Sequence, residues 1–279
     1  MKLSVITINK DNAVGLSQTV LSVLAQTVQD FEYIIVDGAS TDGSLEIIKN
    51  FLTRYNKTMS VKWLSERDKG IFNAMNKGIH MATGEYLLFL NSGDCFASED
   101  VVSKVNKEEF AADIVIGKCN MQKDGKTVWT YEPKEYYSFG TLFFNGIAHQ
   151  AAFIRKNIFE QYGFYDESYR YNGDIEFWYR TIIDNKVSTQ PLDFIVSNYS
   201  LGGMSDVQKD KPDFKEEHKR ILSNPAYEKF IGDYEEWMRD RKRINNYRIV
   251  ENYSSVLWFL SFVERQKKRF HKRFCKKQA

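Results

Sequence analysis

The chain has 279 residues, 43% of them hydrophobic and 27% charged, with only four prolines; this composition excludes a disordered or fibrous protein and suits one large α/β domain or two modest ones. Net charge is +2, yet eight of the 39 Lys/Arg lie from Arg265 onward with no acid among them, so a tail of +8 follows a body of −6. There is no signal-peptide pattern and no window of transmembrane length. Cys95, Cys119 and Cys275 show neither a CxxC nor a Cys/His pairing, so the expectation is a cytosolic chain with reduced thiols and no zinc site.

In chain order, Leu3 to Thr7 is a β-type apolar run, and Leu16, Val20, Val23 and Leu24 then recur at helical spacing. Phe31 to Val36 predicts a second strand, ending in Asp37. Ile47, Ile48, Phe51 and Leu52 mark a second helix that Asp42 or Ser44 could cap. Val61 to Leu64 is a short third strand, and Gly70 to Met81 fits a third helix with Ile71, Met75 and Ile79 on one face. The run Tyr86 to Asn91, apolar on both parities and stopped by Ser92-Gly93-Asp94, reads as a strand buried on both faces. Four strands separated by helices predict a parallel, doubly wound sheet.

Such a sheet binds its ligands outside the carboxyl ends of its strands. No GxGxxG follows the first strand, and no GxxxxGK[ST] occurs anywhere. Those ends carry Thr7 and Asn9, then Asp37, Asp68 and Asp94. Acids there suit a divalent cation carrying phosphates better than bare phosphates, which they would repel.

VITIN, FEYIIVDGASTDGS, SERDKGIFNAMNKGI and ATGEYLLFLNSGD, followed by GIAHQAAFIRK, YNGDIEFWYR and LGGMS, resemble in order the signatures of family 2 glycosyltransferases over roughly residues 1 to 205. The resemblance implies the GT-A fold, a Rossmann-like, mostly parallel sheet flanked by helices. It divides into a nucleotide-sugar-binding half at 1–110 and an acceptor half at 111–205, and a helical extension follows at 206–279. Thr7 and Asp37 would hold the uracil and ribose of a nucleoside diphosphate sugar, with Asn9 and Asn91 at the same strand ends. Asp68 matches the DKG segment near the donor, with Lys69 and Asn76 beside it, although Lys69 and Lys77 suit solvated helix charges equally. His149 resembles the HQ segment near the donor diphosphate.

NSGD stands where the family usually has DSDD, so Asp94 is the surviving carboxylate for Mn²⁺ or Mg²⁺, which one carboxylate, the donor's phosphates and waters can hold. Asp174, in a GD segment where the family commonly has ED, matches the catalytic base of inverting members; the residue type also suits a helix N-cap before IEFWYRTII. Glu176, two residues on, would diverge from Asp174 by about 200° on a helix. Leu201 to Ser205 reads as a flexible loop closing over donor or acceptor.

Beyond Asp206 the chain turns to charged helix, in which His218 reads as solvated. In residues 254–279, Trp258, Phe262, Phe270 and Phe274 adjoin the Lys/Arg cluster, which predicts peripheral attachment to an anionic membrane at its cytoplasmic face. No base-reading motif accompanies the charge, so nucleic acid is the weaker partner for this tail. The expected activity, as the resemblance implies, is inverting transfer from a nucleotide sugar, in the first instance a UDP-sugar, to an acceptor hydroxyl, and family and tail together point to a lipid-linked glycan of bacterial polysaccharide assembly as acceptor. Two rivals share the strand-end acids. A sugar nucleotidyltransferase would carry a Gly-rich basic loop where this chain has VITINKDN, and a non-catalytic nucleotide- or membrane-binding relative would explain NSGD but not an intact Asp174.

Overall fold

The computed structural model describes residues 2–55, 59–202 and 211–228, with 230–233, 236, 239 and 240 beyond them; Gly203 to Ser205 and the tail 254–279 lie outside the described residues. The chain divides into two compact units, 1–221 and 222–279, and the first carries everything that follows.

Strands β1 (Leu3–Asn9), β2 (Glu32–Asp37), β3 (Ser60–Ser65) and β4 (Tyr86–Phe89) alternate with helices α1 (Ala13–Leu24), α2 (Ser44–Tyr55) and α3 (Ile71–Met81), as the apolar periodicities predict. They lie side by side in the order β3-β2-β1-β4, all parallel. Every residue of β1, β2 and β4 is buried, in keeping with strands covered on both faces. Because β2 lies on one side of β1 and β4 on the other, the winding direction reverses beside β1. A crevice is thereby left outside the carboxyl ends of β1 and β4.

The second half is mixed. After β5 (Cys95–Phe96) and α4 (Val101–Val105) come β6 (Ile114–Lys123), β7 (Lys126–Tyr131), α5 (Phe139–Asn145), β8 (Ala152–Arg155), α6 (Asn157–Tyr162), α7 (Gly173–Trp178) and β9 (Thr189–Ser200). The nine-stranded sheet continues as β4-β8-β6-β9-β5, with β7 on β6. Here β8 is antiparallel to both neighbours and β9 is parallel to β6. Pro191 sits within β9 opposite Ile116, next to a register shift where a ladder N–H can be spared.

At the amino ends of the strands a single buried carboxylate ties the first half together. Glu32 accepts from Ser4 Oγ at 2.6 Å, from Thr83 N at 2.8 Å and Thr83 Oγ1 at 3.1 Å, and pairs with Lys62 Nζ at 2.6 Å. The first unit also takes in most of a helix beyond the mixed sheet, α8 (Pro212–Leu222). His218 on α8 is not the solvated residue expected. It is half-buried, 6.5 Å from the Phe143 ring, and burial lowers its pKa.

Candidate active site

Two loops interlock at the crevice, one after β1 and one after β2. Asp37 ends β2 fully buried, and its carboxylate is saturated. One oxygen accepts from Asn9 Nδ2 at 2.9 Å and Ser40 Oγ at 2.6 Å, the other from Ser40 N at 3.0 Å and Ser65 Oγ at 2.7 Å. Burial alone would raise its pKa, but the bonds from Ser40, Ser65 and Asn9 outweigh burial and hold the carboxyl below its ordinary value. Lys10 Nζ donates to the carbonyls of Gly38 and Ala39 at 2.8 and 3.0 Å, and Asp11 N to Ser40 Oγ at 2.8 Å. Asp11 and Ala39, at φ 46° and 57°, carry left-handed backbone that costs non-glycine residues energy and persists where neighbours over-determine it. Asp68 closes in on the same turn, its Oδ2 standing 2.2 Å from where a Cβ on Gly38 would lie.

The structure thus gathers Asn9, Asp37 and Asp68, but it draws three other candidates away. The Thr7 side chain is fully buried, donating to Leu90 O at 2.7 Å and accepting from Tyr33 OH at 3.0 Å, so its hydroxyl braces β1 against neighbouring strands instead of meeting a nucleoside. Asn76 is also committed internally, donating to Tyr165 O at 2.9 Å and Glu167 Oε1 at 3.1 Å and accepting from Tyr165 N at 3.1 Å. Lys69 is exposed, and its backbone N–H caps onto Asn73.

At the end of β4 the Asn91-Ser92-Gly93-Asp94 segment is a turn closed by Asp94 N to Asn91 O at 2.8 Å, with Gly93 at φ 107°, which favours glycine over the acid the family usually has there. Helix α1 holds this turn in place through Asn12 Nδ2 to Ser92 O at 2.9 Å and Gly93 N to Thr19 Oγ1 at 2.9 Å. Neither brace was anticipated from sequence. The signal was a polar Thr19 on the same helical face as Leu16, Val20 and Val23.

Asp94 is 6% exposed, and among the described residues no side chain donates a hydrogen bond to it. Burial pushes its carboxyl up to about 7, against a smaller downward pull from His149 and the Asn91 backbone. His149 stands between two acids. Its Nδ1 is 3.3 Å from Asp174 Oδ2, and its Nε2 is 3.2 Å from Asn91 Nδ2. With the proton on Nδ1 facing Asp174, Nε2 accepts from Asn91. Burial would lower the imidazole pKa, but the Asp174 hydrogen bond and the charges of Asp174 and Asp94 raise it.

Asp174 is the second residue of α7, and Asn172 takes the N-cap position, so capping does not account for the acid. Its Oδ1 accepts from Ile175 N at 2.9 Å, which leaves lone pairs on both oxygens free. Glu176 diverges as expected. It is locked by Arg180 at 2.7 and 2.9 Å, while the guanidinium also donates to the carbonyls of Tyr162, Gly163 and Phe164. The missing Glu of the ED pattern has a steric reason: a Cβ on Gly173 would stand 2.7 Å from the Phe72 ring.

No three His, Cys, Asp or Glu among the described residues form a metal cage. The unpaired, buried Asp94 nevertheless fits a cation as one ligand, provided the other positions come from outside the protein.

Solved glycosyltransferases share this architecture. The Staphylococcus aureus TarS 1–349 structure in complex with UDP-GlcNAc superposes with a TM-score of 0.62 at 18% identity, over 80% of this chain and 66% of that one, so the present chain spans just under two thirds of it. Mannosyltransferase PcManGT from Pyrobaculum calidifontis, in complex with GDP-Man and Mn²⁺, gives 0.54 at 14% identity over 72% and 57%. The fold is therefore that of GT-A glycosyltransferases. The Glycosyl transferase family 2 profile matches residues 4–183, and a PGL/p-HBAD biosynthesis glycosyltransferase of Mycobacterium bovis is 31% identical over 195 residues, 68% of this chain and 73% of the relative. The chain belongs to glycosyltransferase family 2.

Proposed function

We propose that the protein is an inverting transferase that moves a sugar from a UDP-sugar to an acceptor hydroxyl. The observation that carries this reading is the grouping of buried Asp94 with half-buried His149 and Asp174 at the strand ends where the winding reverses, one acid short of partners and the other steadied by the imidazole. The nucleoside lies against the interlocked loops of Asn9, Ser40 and Asp68, with Asp37 acting from within by fixing their shape. Asp94 would hold one position of a bound Mn²⁺ or Mg²⁺, which supplies neutralisation of the departing diphosphate. Asp174 accepts the proton of the acceptor hydroxyl as its oxygen attacks the anomeric carbon. The bond from that carbon to the diphosphate oxygen breaks, and its electron pair leaves with the nucleotide. His149 keeps the Asp174 carboxyl turned to the reacting centre.

Hydrolysis of a panel of nucleotide sugars, with and without Mn²⁺, tests this directly. A UDP-sugar is expected to be turned over fastest and with metal dependence, whereas preference for a GDP-sugar would correct the nucleotide and inertness towards the whole panel would count against transfer. TarS and PcManGT were solved with donors of both kinds, so the panel needs both.

The acceptor in this reading is a glycan or lipid-linked sugar presented at a membrane, to which residues 254–279 bring the enzyme. The basis is the +8 charge of the tail beside its aromatic residues. Each Lys or Arg near an anionic surface adds on the order of 1 kcal/mol, weakened by salt. No helix among the described residues is long and apolar enough to cross a membrane. Full-length protein should float with anionic liposomes at low salt, and the chain lacking 254–279 should not. Equal flotation of the two would remove the tail from the attachment.

A further inference from the structure

We propose that Glu217, on α8 and beyond the segment that the family profile matches, is a positioning residue for catalysis. It holds the backbone that leads into α7 and so sets Asp174; the proposal rests on the reading of Asp174 as base.

Three consecutive amides converge on this one side chain. Arg170 N donates to Glu217 Oε1 at 2.6 Å, and Tyr171 N and Asn172 N donate to Oε2 at 2.9 and 3.0 Å. Successive N–H groups aimed at one point form a concave anion seat, and here the anion is supplied by the chain itself. Without Glu217 those donors lose their acceptor in a segment where Tyr171 and Asn172 are buried. The same helix adds Phe214 O, which accepts from Asn172 Nδ2 at 2.9 Å, and Arg220, whose guanidinium lies 3.6 Å over the Tyr169 ring and donates to Ser168 Oγ at 3.0 Å. From the opposite side Glu167 is tied to Asn73 at 2.9 Å and Asn76 at 3.1 Å.

Residues 167–172 are therefore gripped from α3 and from α8, and Asp174 follows two residues later. Asn172 Oδ1 is buried with no hydrogen-bond partner among the described residues. An orphaned acceptor costs stability, so the segment lies where it does because its other contacts impose that position. Geometry of this kind matters to rate, because a displacement of about 1 Å can cost roughly 10²-fold.

The test uses the full chain, hydrolysis of the nucleotide sugar that the panel shows to be turned over fastest, and variants Glu217→Ala, Glu217→Gln and Asp174→Asn. Glu217→Ala is expected to lower kcat about ten-fold or more with donor KM within about two-fold, and Glu217→Gln, which keeps one acceptor oxygen, to fall between it and wild type. Sodium formate, against sodium chloride at equal ionic strength, should restore part of the kcat of Glu217→Ala by refilling the anion seat. A role confined to stability would lower Tm and leave both readouts unmoved. Wild-type kcat in a folded Glu217→Ala protein, or a lost kcat that formate does not restore, overturns the proposal. If Glu217→Ala does not fold, kcat of Glu217→Gln decides, and a wild-type value overturns it. Full turnover by Asp174→Asn would instead overturn the base assignment, and the positioning role with it.

Discussion

Asp37 and Asp94 occupy comparable places, buried carboxylates beyond the carboxyl ends of β2 and β4, the parallel strands on either side of β1, yet the chain treats them in opposite ways. Asp37 receives four donors, and its carboxyl is held below the ordinary value. Asp94 receives no side-chain donor among the described residues, and burial pushes it up to about 7. A buried charge without partners is costly, so it persists where something from outside the chain completes it. The loops around Asp37 are closed by their own hydrogen bonds, whereas Asp94 is buried with no side-chain donor among the described residues.

Substitutions can break this contrast. If the chemistry belongs to the group of Asp94, His149 and Asp174, Asp174→Asn should lower turnover by about 10²-fold or more with UDP affinity nearly intact, and near wild-type transfer by the folded variant would take the residue out of the mechanism. Asp94→Ala should abolish the Mn²⁺-dependent part of UDP binding in titration calorimetry. Unchanged affinity and metal dependence would place any cation elsewhere.

Stability without metal sharpens the contrast through pH. A folded pKa raised from 3.8 to about 7 means that the contribution of Asp94 is fully present below 3.8 and is lost as pH rises through about 7. The lowered pKa of Asp37 means that its contribution is present above 3.8 and is lost as pH falls through the folded value. With chelator present, Asp94→Asn should raise Tm at pH 8 by a few degrees and flatten its decline between about pH 4 and 7, as read by calorimetry at roughly 2–4 °C per kcal/mol. Equal slopes for variant and wild type would mean that Asp94 is not the titrating group. The smallest effect on turnover is expected from Asp37→Asn. It should destabilise by about 1–3 kcal/mol in urea, through donors left without their acceptor, and raise donor KM more than it lowers kcat.

Sequence alone revealed the first half of the sheet because its strands are contiguous apolar runs and each helix shows its own periodicity. Of the run Tyr86 to Asn91, expected to be buried on both faces, Tyr86 to Leu90 are buried while Asn91 is half-buried, and the strand itself ends at Phe89. Phe153 and Ile154 ahead of Arg155-Lys156 do read as a strand running into a helix, as β8 and α6 are; what stayed hidden was the antiparallel pairing of β8, set by distant partners, and the long β9, whose apolar signal Pro191 interrupts. Cleft chemistry was half legible. Asp94, His149 and Asp174 do come together around the imidazole, but residue type could not show that Ser65, 28 residues downstream, helps to saturate Asp37 or that Thr7 points into the core. Glu217 carried no local signal at all, being one acid among many on a charged helix.

The cluster around Glu32 has a consequence for divergence. Ser4, Lys62 and Thr83 meet that carboxylate at the sheet edge away from the crevice, so strand register is fixed by residues that touch no ligand. Cleft loops on such a scaffold can change length or composition without register slipping, and new donors or acceptors can be explored by drift there. Drift at Glu32 has no such freedom, because one substitution strips partners from β1, β3 and the loop before β4 at once. Amide exchange in β1 to β3 should accordingly stay slow in every crevice variant above and quicken in Glu32→Ala.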